Sequence, residues 1–152
     1  MPNEIRLKDI AAATFNITLV SLAAAASRQS TMVTNSSDYP AAIVSLKITS
    51  GNVLPTAGAL YVAYLLRNDG TISTDAAGAS DAAITIENAP LLGTIVVTAT
   101  AEKGFYGEFD TAPLGPLGPT WGIAVNNATT GALSSAAATH VTDYSYYVPE
   151  IQ

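Results

Sequence analysis

Apolar and polar residues alternate along this chain in short runs; they do not recur every three or four positions. TFNITLV (14–20) sets Phe15, Ile17 and Leu19 against Asn16 and Thr18, and AIVSLKIT (42–49) sets Val44, Leu46 and Ile48 against Ser45 and Lys47. A period of two is the signature of a half-buried strand. ALYVAYLLR (59–67) predicts the most apolar strand, with Leu60, Val62, Tyr64 and Leu66 on one face and Tyr61 and Leu65 beside Ala59 and Ala63 on the other. A strand apolar on both faces is either central in a sandwich or covered by a partner subunit. AITIE (83–87), TIVVTATA (94–101), GFYGEF (104–109), WGIAV (121–125) and HVTDYSYYV (140–148) predict further strands, the last stopped by Pro149.

Turn chemistry fills the gaps. SGNVLPTAG (50–58), Asn68-Asp69-Gly70 and NNATTGA (126–132) are turn material, 71–82 reads as an exposed loop, and NAPLL (88–92) bends around Pro90. TAPLGPLGPT (111–120) holds three Pro and two Gly and is neither helix nor central strand. About eight short strands at intervals of roughly 8–12 residues predict an all-β fold, an antiparallel β-sandwich or jelly roll. The chain divides into an N-terminal arm, 1–12, and a single sandwich domain, 13–152.

Composition narrows what such a fold can do. The 152 residues include no Cys, a single His (His140) and a single Trp (Trp121), and only 12% are charged while 49% are hydrophobic. Disulfides and thiolate metal sites are thereby excluded. Twelve acids against six bases give a net charge of −6, and beyond Lys103 only acids follow, at Glu108, Asp110, Asp143 and Glu150. No basic stripe exists, so a nucleic-acid partner is not expected. The apolar run from Ile10 to Ala26 follows Arg6 and Lys8, but Glu4 and Asp9 spoil a positive leader, and Thr14, Asn16 and Thr18 interrupt the run, so neither a secretory leader nor a membrane span is expected.

Candidate chemistry is thin. A Ser-His-Asp arrangement must use His140, yet Asp143, three residues on along the same strand, points to the opposite face, and no G-x-S-x-G elbow is present. An oxygen-lined Ca²⁺ loop at Asn68, Asp69, Gly70 and Thr71 with Asp75 and Asp81 lacks the required spacing. Glu102, Glu108 and Asp110 are the carboxylates a glycoside hydrolase would have to use. Asn16, Asn35 and Asn127 match the glycosylation pattern, with no secretory signal to give it meaning. No catalytic residue, cofactor or metal is expected, and the chain reads as a non-enzyme. Tyr144, Tyr146 and Tyr147 form an aromatic cluster that reads either as ordinary packing of amphipathic rings in the last strand or as an interface anchor.

SLAAAASRQSTMVTNSSDYPAAIVSLKITSG (21–51), WGIAVNNATTGALSS (121–135) and the Tyr-rich ending HVTDYSYYVPEIQ together resemble the small virion structural proteins of tailed bacteriophages, the capsid decoration or cement proteins. The resemblance covers most of 13–152 and rests on structural, not catalytic, motifs. It implies a β-sandwich or jelly-roll subunit on the virion's capsid surface, made in the host cytoplasm, that binds the major capsid protein and associates with itself as a homotrimer. Contact residues are then expected at Ile5, Leu7 and Ile10 of the arm, at Tyr61 and Leu65, and at Tyr144, Tyr146 and Tyr147. The alternative expectation is a tail-fibre or adhesin-type module that binds a receptor or glycan.

Overall fold

The computed structural model describes residues 5–10, 12–68, 74–75 and 78–151, and their side chains except at 5–9 and 149–151. Eight strands carry the architecture: β1 (Ile5–Asp9), β2 (Ser27–Gln29), β3 (Ala41–Thr49), β4 (Leu60–Asn68), β5 (Leu91–Val96), β6 (Gly104–Asp110), β7 (Thr120–Ala128) and β8 (Val141–Ile151). They form two antiparallel sheets, ordered β1-β8-β3-β6 and β2-β7-β4-β5. Two-residue strands at 13–14, 33–34 and 82–83 pair with β8, β7 and β2. The expected antiparallel β-sandwich is thus the fold.

Period-two patterning decides what each strand buries. On β3 the even residues Val44, Leu46 and Ile48 face the interior, and on β8 Thr142, Tyr144 and Tyr146 do so. The second sheet answers with Tyr61, Ala63 and Leu65 from β4, Trp121, Ile123 and Val125 from β7, and Ile95 from β5. Trp121 lies fully buried at the centre, edge-on to Phe15, Tyr144 and Tyr146, and its indole N–H donates to the Tyr146 hydroxyl at 2.8 Å. That bond satisfies the one polar atom the ring carries into the core.

Four local expectations change. The alternation at 14–20 is real, because Phe15 and Leu19 are buried, but beyond Thr14 the segment is not a strand. Its Phe15 N–H donates to Thr142 O on β8, Asn16 O accepts from Thr31 N–H beside the other sheet, and Thr18 N–H donates to Asp81. A segment that bonds to both sheets crosses the side of the sandwich and joins neither ladder. At 83–87 only 82–83 are strand, and 94–101 shifts to 91–96 with Leu92 bulged out between Gly93 and Leu91 where they pair with Ala63 and Tyr64.

The third change concerns Pro149. It does not end β8, which runs on to Ile151. Tyr146 O accepts from Ile10 N–H, so even positions of β8 turn their backbone groups toward β1 and odd positions toward β3. β3 begins at Ala41 opposite Tyr147, so by position 149 no strand waits on that side and the missing N–H costs nothing.

The fourth concerns the arm. Its residues 5–9 pair with Tyr147–Ile151 of the same chain as an edge strand of the first sheet. They are thus part of a sheet of the same chain. The turn expected at Asn68-Asp69-Gly70 falls largely outside the described residues.

The Pro/Gly segment 111–120 carries β6 of the first sheet over to β7 of the second. Gly115 and Gly118 adopt φ of 89° and 78°, conformations that side chains resist. Leu117 between them is fully buried in the core, and Arg67 at the end of β4 donates from Nη2 to Leu114 O and to Gly115 O at 2.9 Å.

Candidate interaction surfaces

Of the eight expected contact residues, four belong to the interior. Tyr61, Leu65, Tyr144 and Tyr146 are buried between the sheets of their own chain. This corrects the expectation that they are inter-subunit contacts: Tyr61 and Leu65 lie on the inner face of β4, and Leu60, Val62, Tyr64 and Leu66 form its outer face. Ile10 is half-buried against the core. Tyr147 faces outward, half-buried, and its hydroxyl donates to Asp110 Oδ1 at 2.7 Å. Burial and that carboxylate raise its pKa to about 12. Ile5 and Leu7 lie on β1, with side chains outside the described residues.

The polar candidates are mostly engaged in holding the chain together. His140 donates from Nε2 to Ser134 O at 3.2 Å, which leaves Nδ1 to accept Thr49 N–H at 3.3 Å. Both nitrogens are occupied in the neutral ring, and burial, with Lys47 nearby, lowers its pKa. Asp143 accepts Thr14 Oγ1 at 2.7 Å on the outer face, away from the imidazole. Asn35 and Asn127 are buried with their amides donating to backbone carbonyls, so neither is a glycan acceptor as folded.

Asp75 and Asp81 of the candidate cation loop are pins. Asp75 Oδ2 accepts the backbone N–H groups of Glu87, Asn88 and Ala89 at 2.9, 2.6 and 2.5 Å. Asp81 binds Arg28 Nε at 2.6 Å through Oδ1 and Thr18 through Oδ2. Burial pushes both carboxyls up, but these donors outweigh it and hold both below the ordinary value. Asp69, Gly70 and Thr71 lie outside the described residues. Among the described residues no group of three or more acidic or His side chains could hold a metal ion.

What remains outward is two sheet faces of different chemistry. The outer face of the first sheet sets Val141, Lys47 and Tyr106 in one row, Asp143, Ser45 and Glu108 in the next, and Ser145, Ile43 and Asp110 in the third. Tyr106 is 72% exposed and Val141 38%. Lys47 Nζ sits 5.6 Å from the Tyr106 ring centroid, and Ser45 Oγ donates to Glu108 at 3.2 Å. Among the described residues of this face, three carboxylates against one ammonium make it acidic.

The outer face of the second sheet is apolar. Part of it lies under the segment 78–90, whose Ile84 and Ile86 pack with Met32 and Tyr64 on buried Leu66, Ala89 and Ala124. Beyond that cover, Leu91 is 53% and Val96 63% exposed. A groove of about 470 Å³ borders the covering segment, between Ala25–Ser27, Tyr64, Asn126 and 83–86. A smaller apolar groove of about 260 Å³ sits at the Pro-rich end, between Pro40, Ala112, Pro116 and Tyr147.

Sequence reasoning missed Arg67 and Leu117, and singled out Asp75 for a cation where it binds backbone N–H groups. Arg67 reads as a solvated strand end, and its carbonyl partners lie in a segment distant in sequence. The signal for Leu117 was its isolation as an aliphatic residue between glycines in an otherwise rigid loop. No family model and no curated protein matches this chain.

Proposed function

We propose that this chain is a non-enzymatic decoration (cement) protein of a tailed-bacteriophage capsid. It binds the major capsid protein at the outer shell, stabilises the shell, and associates with itself as a homotrimer. The observation that carries the reading is the contrast between interior and exterior chemistry. His140, Asp75, Asp81, Arg67, Asn35 and Asn127 all stitch the chain to itself, and the surface left over is two broad sheet faces suited to contact. Flat, rigid area is what a shell-binding subunit needs.

The strand order supports the finer reading of the sandwich as a jelly roll. The orders 1-8-3-6 and 2-7-4-5 contain the pairs 1-8, 2-7, 3-6 and 4-5, the rungs of one long antiparallel ribbon. Rolling that ribbon deals alternate rungs to opposite sheets, which is how two Greek keys arise.

The acidic outer face of the first sheet, with exposed Tyr106 and Val141, fits docking on a basic protein surface. The test is copy number per purified particle by quantitative mass spectrometry. Hundreds of copies are expected. A handful per particle, with the chain located in the tail, would overturn the capsid reading and favour a receptor-binding module.

A further inference from the structure

We infer that copies of this chain meet through the uncharged outer face of the second sheet, around β4 and β5. The contact surface is exposed Leu91, Thr94 and Val96, backed by half-buried Leu60 and Tyr64 on either side of buried Val62. This deepens the self-association half of the proposed function and does not depend on what the shell is.

Register places these six side chains together. Leu60 pairs with Val96, Val62 with Thr94 and Tyr64 with Leu91, so they form three adjacent rows on one face. They are the outward partners of Tyr61, Ala63 and Leu65, which the core takes. Given self-association, charge selects the face that copies share. The chain carries −6, so two copies repel unless they meet where no carboxylate stands. Among the described residues the outward positions of β4, β5 and β7 hold no acid and no base. The first sheet's outer face, with Glu108, Asp110 and Asp143, would set carboxylate against carboxylate in a contact between copies. Depletion of charge at an apolar centre is also the composition of subunit interfaces.

The covered part of the same face shows what the surface accepts. Ile84 and Ile86 of this chain already pack there, and Leu66 beneath is fully buried. The cover ends before Leu91 and Val96. The rim continues into the β3–β4 loop, which lies against the end of β5 through Gly58 N–H to Val97 O and Val97 N–H to Ala59 O. Farther along, that loop carries exposed Val53 and Leu54, with Val53 against Gly131 after β7. The Leu92 bulge breaks the free edge of β5, which disfavours edge pairing and leaves the face as the contact.

Sedimentation velocity on the purified full chain over a range of micromolar concentrations tests the inference without any phage particle. The wild type is expected to be oligomeric, Leu91→Glu with Val96→Glu to be monomeric at the same concentrations, and Val141→Glu, on the opposite face, to keep the oligomer. A monomeric wild type, an oligomer that survives the double substitution, or dissociation by Val141→Glu would each overturn it. Because the chain has no Cys, Thr94→Cys and Val141→Cys give unique labels that need no disruptive change. Maleimide should label position 94 at least tenfold more slowly than position 141 in the oligomer, with the rates converging on dilution; equal rates in the oligomer sink the proposal. Particle copy number leaves these results untouched, so the inference and the capsid reading fail separately.

Discussion

The two sides of the second sheet bury apolar residues by different means. Between the sheets, Trp121, Tyr61, Leu65, Ile123 and Val125 are held by packing, with few polar bonds among them. Outside the sheet, the small cluster of Leu66, Ala89 and Ala124 under Ile84 and Ile86 is too slight to hold its own cover. The covering segment is fastened by polar pins: Asp75 on three backbone N–H groups, Asp81 on Arg28 and Thr18, and Gln29 Nε2 donating to Gly78 O and Ser80 O. The core therefore depends on area and shape, and the cover on ionised carboxylates. Burial sets the stability of the whole domain, whereas a few hydrogen bonds decide whether one stretch of surface is closed.

The sharpest test of the first half is Trp121→Ala. The substitution removes the largest buried side chain and the indole N–H bond to the Tyr146 hydroxyl. A loss of about 3–5 kcal/mol is expected, and the melting temperature should fall by roughly 10–15 °C. Hydrogen exchange should accelerate across both sheets together; an effect confined to β7 would show that the core is not one cooperative unit.

The second half breaks at Asp75 and in acid. Both Asp75 and Asp81 have folded pKa values held below the ordinary carboxyl value of 3.8. Their contribution is therefore full above the unfolded carboxylate value and is lost as pH falls through the lower folded values. The cover should loosen below about pH 4 while the core stays intact. Asp75→Asn should reproduce this at neutral pH. Amide exchange at Glu87, Asn88 and Ala89 is expected to rise roughly tenfold, with little change in the global melting temperature. Global unfolding of the variant would mean that core and cover are one unit.

How far these features were legible depends on whether a pattern is local. The alternation at 42–49 has one polar face and fixes the inward side correctly. At 141–147 the alternation is equally regular, but Tyr suits a core and an interface alike, and Tyr144 and Tyr146 turn out to be interior. At 59–67 both faces are apolar, so parity could not choose, and a one-residue error exchanges Tyr61 and Leu65 for Leu60 and Val62. The interface expectation failed there for that reason. The segment 15–20 has a strand's pattern, yet its hydrogen bonds divide between two sheets, which no local period encodes. Pro149 reads as a stop only if both sides of the strand are assumed occupied. The pins are long-range pairs between common residue types: Asp75 meets 87–89 and Arg67 meets 114–115 with nothing periodic to announce either.

The smallest expected effect tests whether the core is governed by packing alone. The Tyr61 hydroxyl is buried and has no hydrogen-bond partner among the described residues, and burial raises its pKa to about 12. An unpaired buried hydroxyl carries a desolvation cost that its ring packing, edge-on to Phe105 at 6.0 Å, must offset. Tyr61→Phe keeps the ring and removes the cost, leaving only a hydroxyl-sized gap. A gain of about 0.5–1 kcal/mol is expected, read as a higher urea midpoint at unchanged slope. A loss of stability would show that the hydroxyl is bonded in solution, and the inner face of the second sheet would then share the polar fastening that distinguishes the outer one.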